Sequence, residues 1–141
     1  MPDQVPPLQG VLETALYVED MPRARAFYEG VMGLAAMYED ERLTAYPVGG
    51  RSALLLFRRD QMNRAEHPPG GTIPPHAGSG PVHFALAVDL PDLPRWEAHL
   101  AGQGVALEGR VDWPQGARSI YFRDPDAHLV ELVTPGLWAI Y

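Results

Sequence analysis

A chain of 141 residues with 46% hydrophobic and 21% charged content is large enough for one domain with its own core, and its composition is that of a soluble globular protein. The net charge of −7, with 11 Lys and Arg scattered along the chain, argues against a surface built for phosphate backbones, so no nucleic-acid partner is expected. The absence of cysteine removes disulfides, thiolate zinc ligands and thiol nucleophiles and suits a cytoplasmic setting, and no apolar run approaches membrane-spanning length.

Met1 to Gly10 holds three prolines and no signal-like apolar run, and reads as a loose arm. Val11 to Val18 follows as a first strand. Successive side chains of a strand point to opposite faces, so Glu13, Ala15 and Tyr17 share one face and Leu12, Leu16 and Val18 the other. Pro81 to Val88 repeats the pattern, with His83, Ala85 and Ala87 opposite Val82, Phe84, Leu86 and Val88. In each strand a polar side chain is followed on its own face by a small alanine, which leaves space beside it.

The repeat continues into two helices. Asp20 to Gly30 aligns without gaps on Asp92 to Gly102, each with an aspartate suited to an N-cap and a proline in the first turn, where its missing N–H costs nothing. Ala24, Phe27, Tyr28 and Val31 form one apolar stripe, and Leu93, Trp96 and Leu100 the other. Gly33 and Gly104 are suitable stops. Three strands are expected after each helix: Leu34 to Tyr38, Leu43 to Val48 and Ser52 to Phe57, then Gly104 to Val111, Ala117 to Phe122 and His128 to Val133. The turns fall at Glu39-Asp40-Glu41, Gly49-Gly50 and Asp124-Pro125-Asp126.

The pattern is thus one domain made of two βαβββ modules, 11–58 and 81–135, joined by a Pro/Gly-rich loop, 59–80, and closed by a tail, 136–141. A connection this long reads as a lid or a dimer arm as readily as a linker, and His67 and His76 could reach a site from it. The apolar tail Leu137-Trp138-Ala139-Ile140-Tyr141 is expected to be ordered, against the rest of the chain or a second subunit.

Glu131 is a third anomaly. It alternates with Leu129 and Val133 where a half-buried strand would carry an aliphatic, and a lone carboxylate there costs several kcal/mol, on the order of a buried unpaired charge, unless it is paired or bound to a cation. If the modules pack side by side, Glu13, His83 and Glu131 converge. Two carboxylates and an imidazole suit a divalent Fe, Mn, Ni or Zn ion with open coordination positions.

Tyr17-Val18-Glu19-Asp20, Phe27-Tyr28, Gly33-Leu34, Val82-His83-Phe84-Ala85 and Tyr121 to Asp126 followed by Glu131 make the chain resemble the vicinal oxygen chelate superfamily, the glyoxalase, bleomycin-resistance and extradiol-dioxygenase group. The resemblance implies an α+β fold whose two βαβββ modules form a partly open, mixed eight-stranded barrel-like sheet with helices outside. It also implies a metal held by Glu13, His83 and Glu131, and a small-molecule substrate chelated through its oxygens. Glu13 stands where His is the rule in the dioxygenases, Ala53-Leu54-Leu55-Leu56 offers no fourth carboxylate ligand, and Ala127 replaces the glycine usual after the Asp-Pro-Asp turn. Tyr121, ten residues before Glu131, matches the interval of an active-site tyrosine in extradiol dioxygenases, and its phenol could hydrogen-bond a substrate oxygen. The expected activity is a metal-dependent isomerase, lyase or dioxygenase, and a homodimer is expected. The alternative is a metal-free small-molecule binding protein of the bleomycin-resistance type. Arg51 and Arg118, each before a serine near a strand start, could hold an anionic group, whereas His99 and His128 read as surface or core-edge histidines.

Overall fold

The computed structural model describes residues 4–141, and the two modules emerge as two mixed four-stranded sheets. In module one, β1 (Glu13–Val18) leads into helix α1 (Met21–Arg25), then β2 (Tyr38–Glu39), β3 (Leu43–Val48) and β4 (Ser52–Arg58), with sheet order β1-β4-β3-β2. Module two repeats this with β5 (His83–Ala87), α2 (Leu93–Gly102), β6 (Gly109–Asp112), β7 (Arg118–Arg123) and β8 (Leu129–Val133), in order β5-β8-β7-β6. The first strand of each module pairs in parallel with the last, which is why a helix must connect it to the rest. Among the described residues no helix is long and apolar enough to cross a membrane.

Local chemistry explains the elements. Asp20 caps α1, its Oδ1 accepting the Arg23 N–H at 3.1 Å, and Pro22 fills the first turn. The helix then widens into π-helical turns over Ala26–Val31, where Arg25 donates through Nε to Glu29 at 2.6 Å. Gly33 and Gly104 both take φ +75°, the left-handed conformation that ends a helix without a Cβ penalty.

The alternation read from the sequence sets the layering. Leu16, Val18, Leu54, Leu56, Ile120, Phe122, Val130 and Leu132 are buried against Ala24, Phe27, Tyr28, Leu93 and Leu100 of the helices in one continuous core. The opposite faces, carrying Glu13 and Ala15 in module one and His83, Ala85 and Ala87 in module two, are exposed. The sheets are not joined edge to edge: β1 and β5 make no ladder with each other.

Two expectations are corrected, and a third concerns the tail. The strand expected at 34–38 shrinks to Tyr38–Glu39, which pair only with Ala45 and Thr44, so Leu34 to Met37 are irregular apart from isolated backbone bonds. The sixth strand starts at Gly109, because residues 103–105 are spent closing α2 through bonds back to His99, Leu100 and Ala101. The C-terminal tail curls into a turn tethered by Tyr141, whose hydroxyl donates to the Val88 carbonyl at 3.1 Å, yet Trp138 and Ile140 stay 69% and 94% exposed.

The loop 59–80 folds back on its own module. Glu66 and Ile73 form a bridge, Arg42 pairs with Glu66 at 2.6 Å, and the His76 ring packs edge-on to Phe57 at 4.7 Å. Tyr17 Oη lies 2.6 Å from His76 Nδ1. Gly78 lies so close that a Cβ there would come within 2.4 Å of the Tyr17 ring.

Candidate metal centre

Module two builds the candidate site from its parallel strand pair. In register, Ala85 faces Glu131 and His83 faces Leu129, so the imidazole and the carboxylate stand on one face, separated diagonally across the ladder. His83 Nε2 lies 3.2 Å from Glu131 Oε1. The His83 side chain is half-exposed, and that of Glu131 is 7% exposed.

Hydrogen bonds fix both groups from behind. His83 Nδ1 is 3.0 Å from the Leu129 carbonyl oxygen, and a carbonyl can only accept, so Nδ1 carries the proton. Nε2, the other ring nitrogen, faces Glu131, either as the N–H donor of an ion pair or, on the neutral ring, as a lone pair open to a cation. On the carboxylate, the other oxygen, Oε2, accepts from Ser119 Oγ at 2.6 Å, and Ser119 in turn accepts from Trp113 Nε1 at 2.9 Å. Trp113, Ser119 and the Leu129 carbonyl are thus the outer groups that orient two donors toward one point.

Two lone pairs that meet at 3.2 Å repel unless a proton or a cation lies between them. Nitrogen and oxygen ligands of a divalent transition metal sit about 2.0–2.2 Å from the ion, which puts adjacent donors about 3 Å apart. The pair fits a metal on that measure. Its buried carboxylate has only Ser119 and His83 as polar partners among the described residues, and a cation beside it would offset the cost of burying a charge there.

Tyr121 borders the same place. Its ring centroid is 6.3 Å from that of His83, and it faces Glu131 across the β7–β8 ladder. Burial first, and the Glu131 charge second, push its phenol above the ordinary range, so it remains a protonated donor at neutral pH.

Glu13 is placed elsewhere. Among the described residues no three His, Asp or Glu side chains gather as a metal site, so within one chain Glu13 does not join His83 and Glu131. It is exposed, opposite Ala53 in its own sheet, with no hydrogen bond or ion pair among the described residues. The packing between modules that was expected to bring the two first strands together instead runs through the helix-facing core, which leaves both open faces outward. A cleft of about 980 Å³ lies between the start of β1, the β3–β4 hairpin with Arg51, and Ala85 to Ala87. Arg118 is engaged with Asp112 at 3.3 Å, His99 lies 2.7 Å from the Val31 carbonyl, and His67 lies beside Thr72 in the loop.

Sequence reasoning missed the supporting residues. Ser119 alternates with Tyr121 onto the Glu131 face, a signal that was present in the strand pattern. Trp113 lies beyond β6 and gave none. His128, read as a surface or core-edge residue, is 1% exposed and bonded through both ring nitrogens.

An exposed half-barrel face with a histidine and a buried glutamate poised on paired first and last strands defines a class of duplicated βαβββ proteins. The sequence pattern of the Glyoxalase/Bleomycin resistance protein/Dioxygenase superfamily matches residues 10–132, and the chain belongs to that superfamily. It is 28% identical over 126 residues to the metallothiol transferase FosB of Bacillus licheniformis, covering 89% of this chain and 75% of that protein. The crystal structure of lactoylglutathione lyase from Agrobacterium tumefaciens is 32% identical, with a TM-score of 0.85 over 95% of this chain and 99% of that one. The fosfomycin resistance protein FosX of Listeria monocytogenes, solved with Mn(II) and sulfate, shares the fold at 20% identity and a TM-score of 0.67, covering 92% of this chain and 93% of that one.

Proposed function

We propose that this protein is a divalent-metal-dependent enzyme acting on a small substrate that presents neighbouring oxygen atoms, with His83 and Glu131 as metal ligands. The observation that carries the reading is the approach of His83 Nε2 to the buried Glu131 Oε1 at 3.2 Å, with the other nitrogen and the other oxygen each held from behind, by the Leu129 carbonyl and by Ser119. A divalent ion bound there supplies Lewis acidity toward the substrate oxygens. Similarity to a metallothiol transferase and to a lactoylglutathione lyase supports metal-dependent chemistry of this superfamily, with Fe, Mn, Ni or Zn as the candidate ions.

The chain's own residues divide the remaining work. Tyr121 donates a hydrogen bond to a substrate oxygen that gains negative charge during reaction, and its raised pKa keeps that proton in place. Ala85 and Ala87 keep the floor of the site low enough to admit substrate. Arg51, with no ion-pair partner among the described residues, lines the adjoining cleft and meets an anionic substituent.

Glu13 completes the ligand set from a second copy. Each chain turns two unfilled faces outward, and these are flanked by exposed apolar side chains: Val11, Leu12 and Val82 at 80%, 66% and 43% exposure, with Trp138 and Ile140 on the tail. A homodimer in which module one of one copy faces module two of the other covers this surface and brings Glu13 to His83 and Glu131.

Metal analysis of protein purified without chelators or a metal-affinity tag tests the reading. About one equivalent of Fe, Mn, Ni or Zn per chain, lost in Glu131→Ala, is expected. Negligible metal with retained small-molecule binding would replace the enzyme reading with that of a bleomycin-resistance-type binding protein.

A further inference from the structure

The buried histidine of the β7–β8 turn is not a ligand, yet it sits one residue from the strand start that carries one. His128 Nδ1 accepts the Val82 N–H at 3.0 Å, and its Nε2 lies 2.9 Å from the Tyr17 carbonyl oxygen. These bonds assign the ring without ambiguity: Nδ1 must be the acceptor and Nε2 the protonated donor. The backbone of the same residue is also held, its N–H donating to Asp124 Oδ1 at 2.8 Å while Asp124 Oδ2 accepts from the Tyr28 hydroxyl at 2.7 Å.

Tyr17 and Tyr28 belong to module one, Val82 and Asp124 to module two. A single side chain therefore ties β1 of one module to the entry of β5 in the other. Val82 is fixed from both sides, since its carbonyl accepts from the Leu129 N–H at 2.8 Å. The next residue is His83, whose Nδ1 bonds the carbonyl of that same Leu129. The register that puts His83 Nε2 against Glu131 is set at this point.

We propose that His128 is a positioning residue for the metal centre, holding Val82 so that His83 enters β5 in line with Glu131, and taking its own position from the β1 backbone of module one. The role of His83 as a ligand rests on the reading above; the positioning does not. An apolar replacement leaves the Val82 N–H and the Tyr17 carbonyl without these part-buried partners. Asparagine sets an amide oxygen near the position of Nδ1 and serves Val82, whereas glutamine extends toward Tyr17 and leaves Val82 free.

The test compares His128→Leu, His128→Asn and His128→Gln with the parent protein by three readouts: amide exchange at Val82 and His83, the 15N shifts of the His83 ring without metal, and Mn2+ affinity by calorimetry. His128→Leu and His128→Gln are expected to speed Val82 exchange, shift the His83 ring nitrogens and weaken Mn2+ binding by about tenfold or more, while His128→Asn stays close to the parent. If the leucine variant fails to fold, the asparagine and glutamine pair carries the comparison alone. Unchanged Val82 exchange and His83 shifts in the glutamine variant, or equal behaviour of the asparagine and glutamine variants, overturn the proposal. Altered exchange and shifts in the glutamine variant, together with a parent protein that binds no Mn2+, uphold the positioning role and overturn the metal reading instead.

Discussion

The two modules share a topology and an alternating pattern, but their open faces have diverged. In module two the face holds Glu131, buried and bonded to Ser119, beside His83 and Tyr121. In module one the strand equivalent to that of His83 presents Glu13 alone and exposed, the strand equivalent to that of Glu131 carries no carboxylate, and the far end of the face is covered by the loop through Tyr17, Phe57 and His76. Duplication supplied two equivalent half-barrels. One carries a preorganised pair of donors, while the other carries a single exposed carboxylate and a loop packed over its far end. The lesson is that two repeated faces differ by what backs their polar groups: Ser119 and the Leu129 carbonyl stand behind Glu131 and His83, whereas Glu13 has no hydrogen-bond partner among the described residues.

Substitutions that act on one module at a time sharpen this contrast. The largest effect is expected from Glu131→Ala, which removes the backed carboxylate and with it the bound metal, as measured by elemental analysis. In the loop packed on module one, Gly78→Ala forces a methyl into the Tyr17 ring. It should lower stability by about 1–3 kcal/mol in urea unfolding and make 59–80 the first site of limited proteolysis. Unchanged stability would mean that the loop is not seated on that face. Ser119→Ala takes away the hydroxyl behind Glu131 and should weaken Mn2+ binding by about tenfold, with Trp113 fluorescence shifting even without metal because the indole N–H loses its acceptor.

The smallest effect contrasts the two hairpins. Module one turns between β3 and β4 through Gly49 and Gly50 at φ +66° and +86°, whereas module two turns between β7 and β8 with Ala127 at φ +64°. A left-handed alanine is strained, so Ala127→Gly should stabilise the protein by about 0.5–1 kcal/mol, net of the added freedom of the unfolded chain. A lower urea midpoint would show that the turn is not strained.

Much of this was legible beforehand. Period-two alternation located β1 and β5, the repeat in Asp-x-Pro-Arg located both helices, and the misplaced polarity of Glu131 pointed to a carboxylate that is indeed buried and paired. The second strand was not legible, because Leu34 to Met37 have strand-like composition but only two residues downstream find ladder partners. The role of His128 lay in contacts across 46 and 111 residues, which no local pattern encodes. Glu13 was the hardest case. Its strand and face were evident, but whether its face meets the other module of the same chain or of a second copy depends on how the helix layers pack.

Mixing two defective chains asks that question directly. Glu13→Gln and Glu131→Gln proteins, each expected to bind Mn2+ poorly, are combined, allowed to exchange subunits and titrated with Mn2+ by calorimetry. If Glu13 of one copy meets His83 and Glu131 of the other, each mixed dimer regains one intact site, and binding of parental affinity returns. No recovery after demonstrated subunit exchange would contradict a centre shared between two copies of this chain.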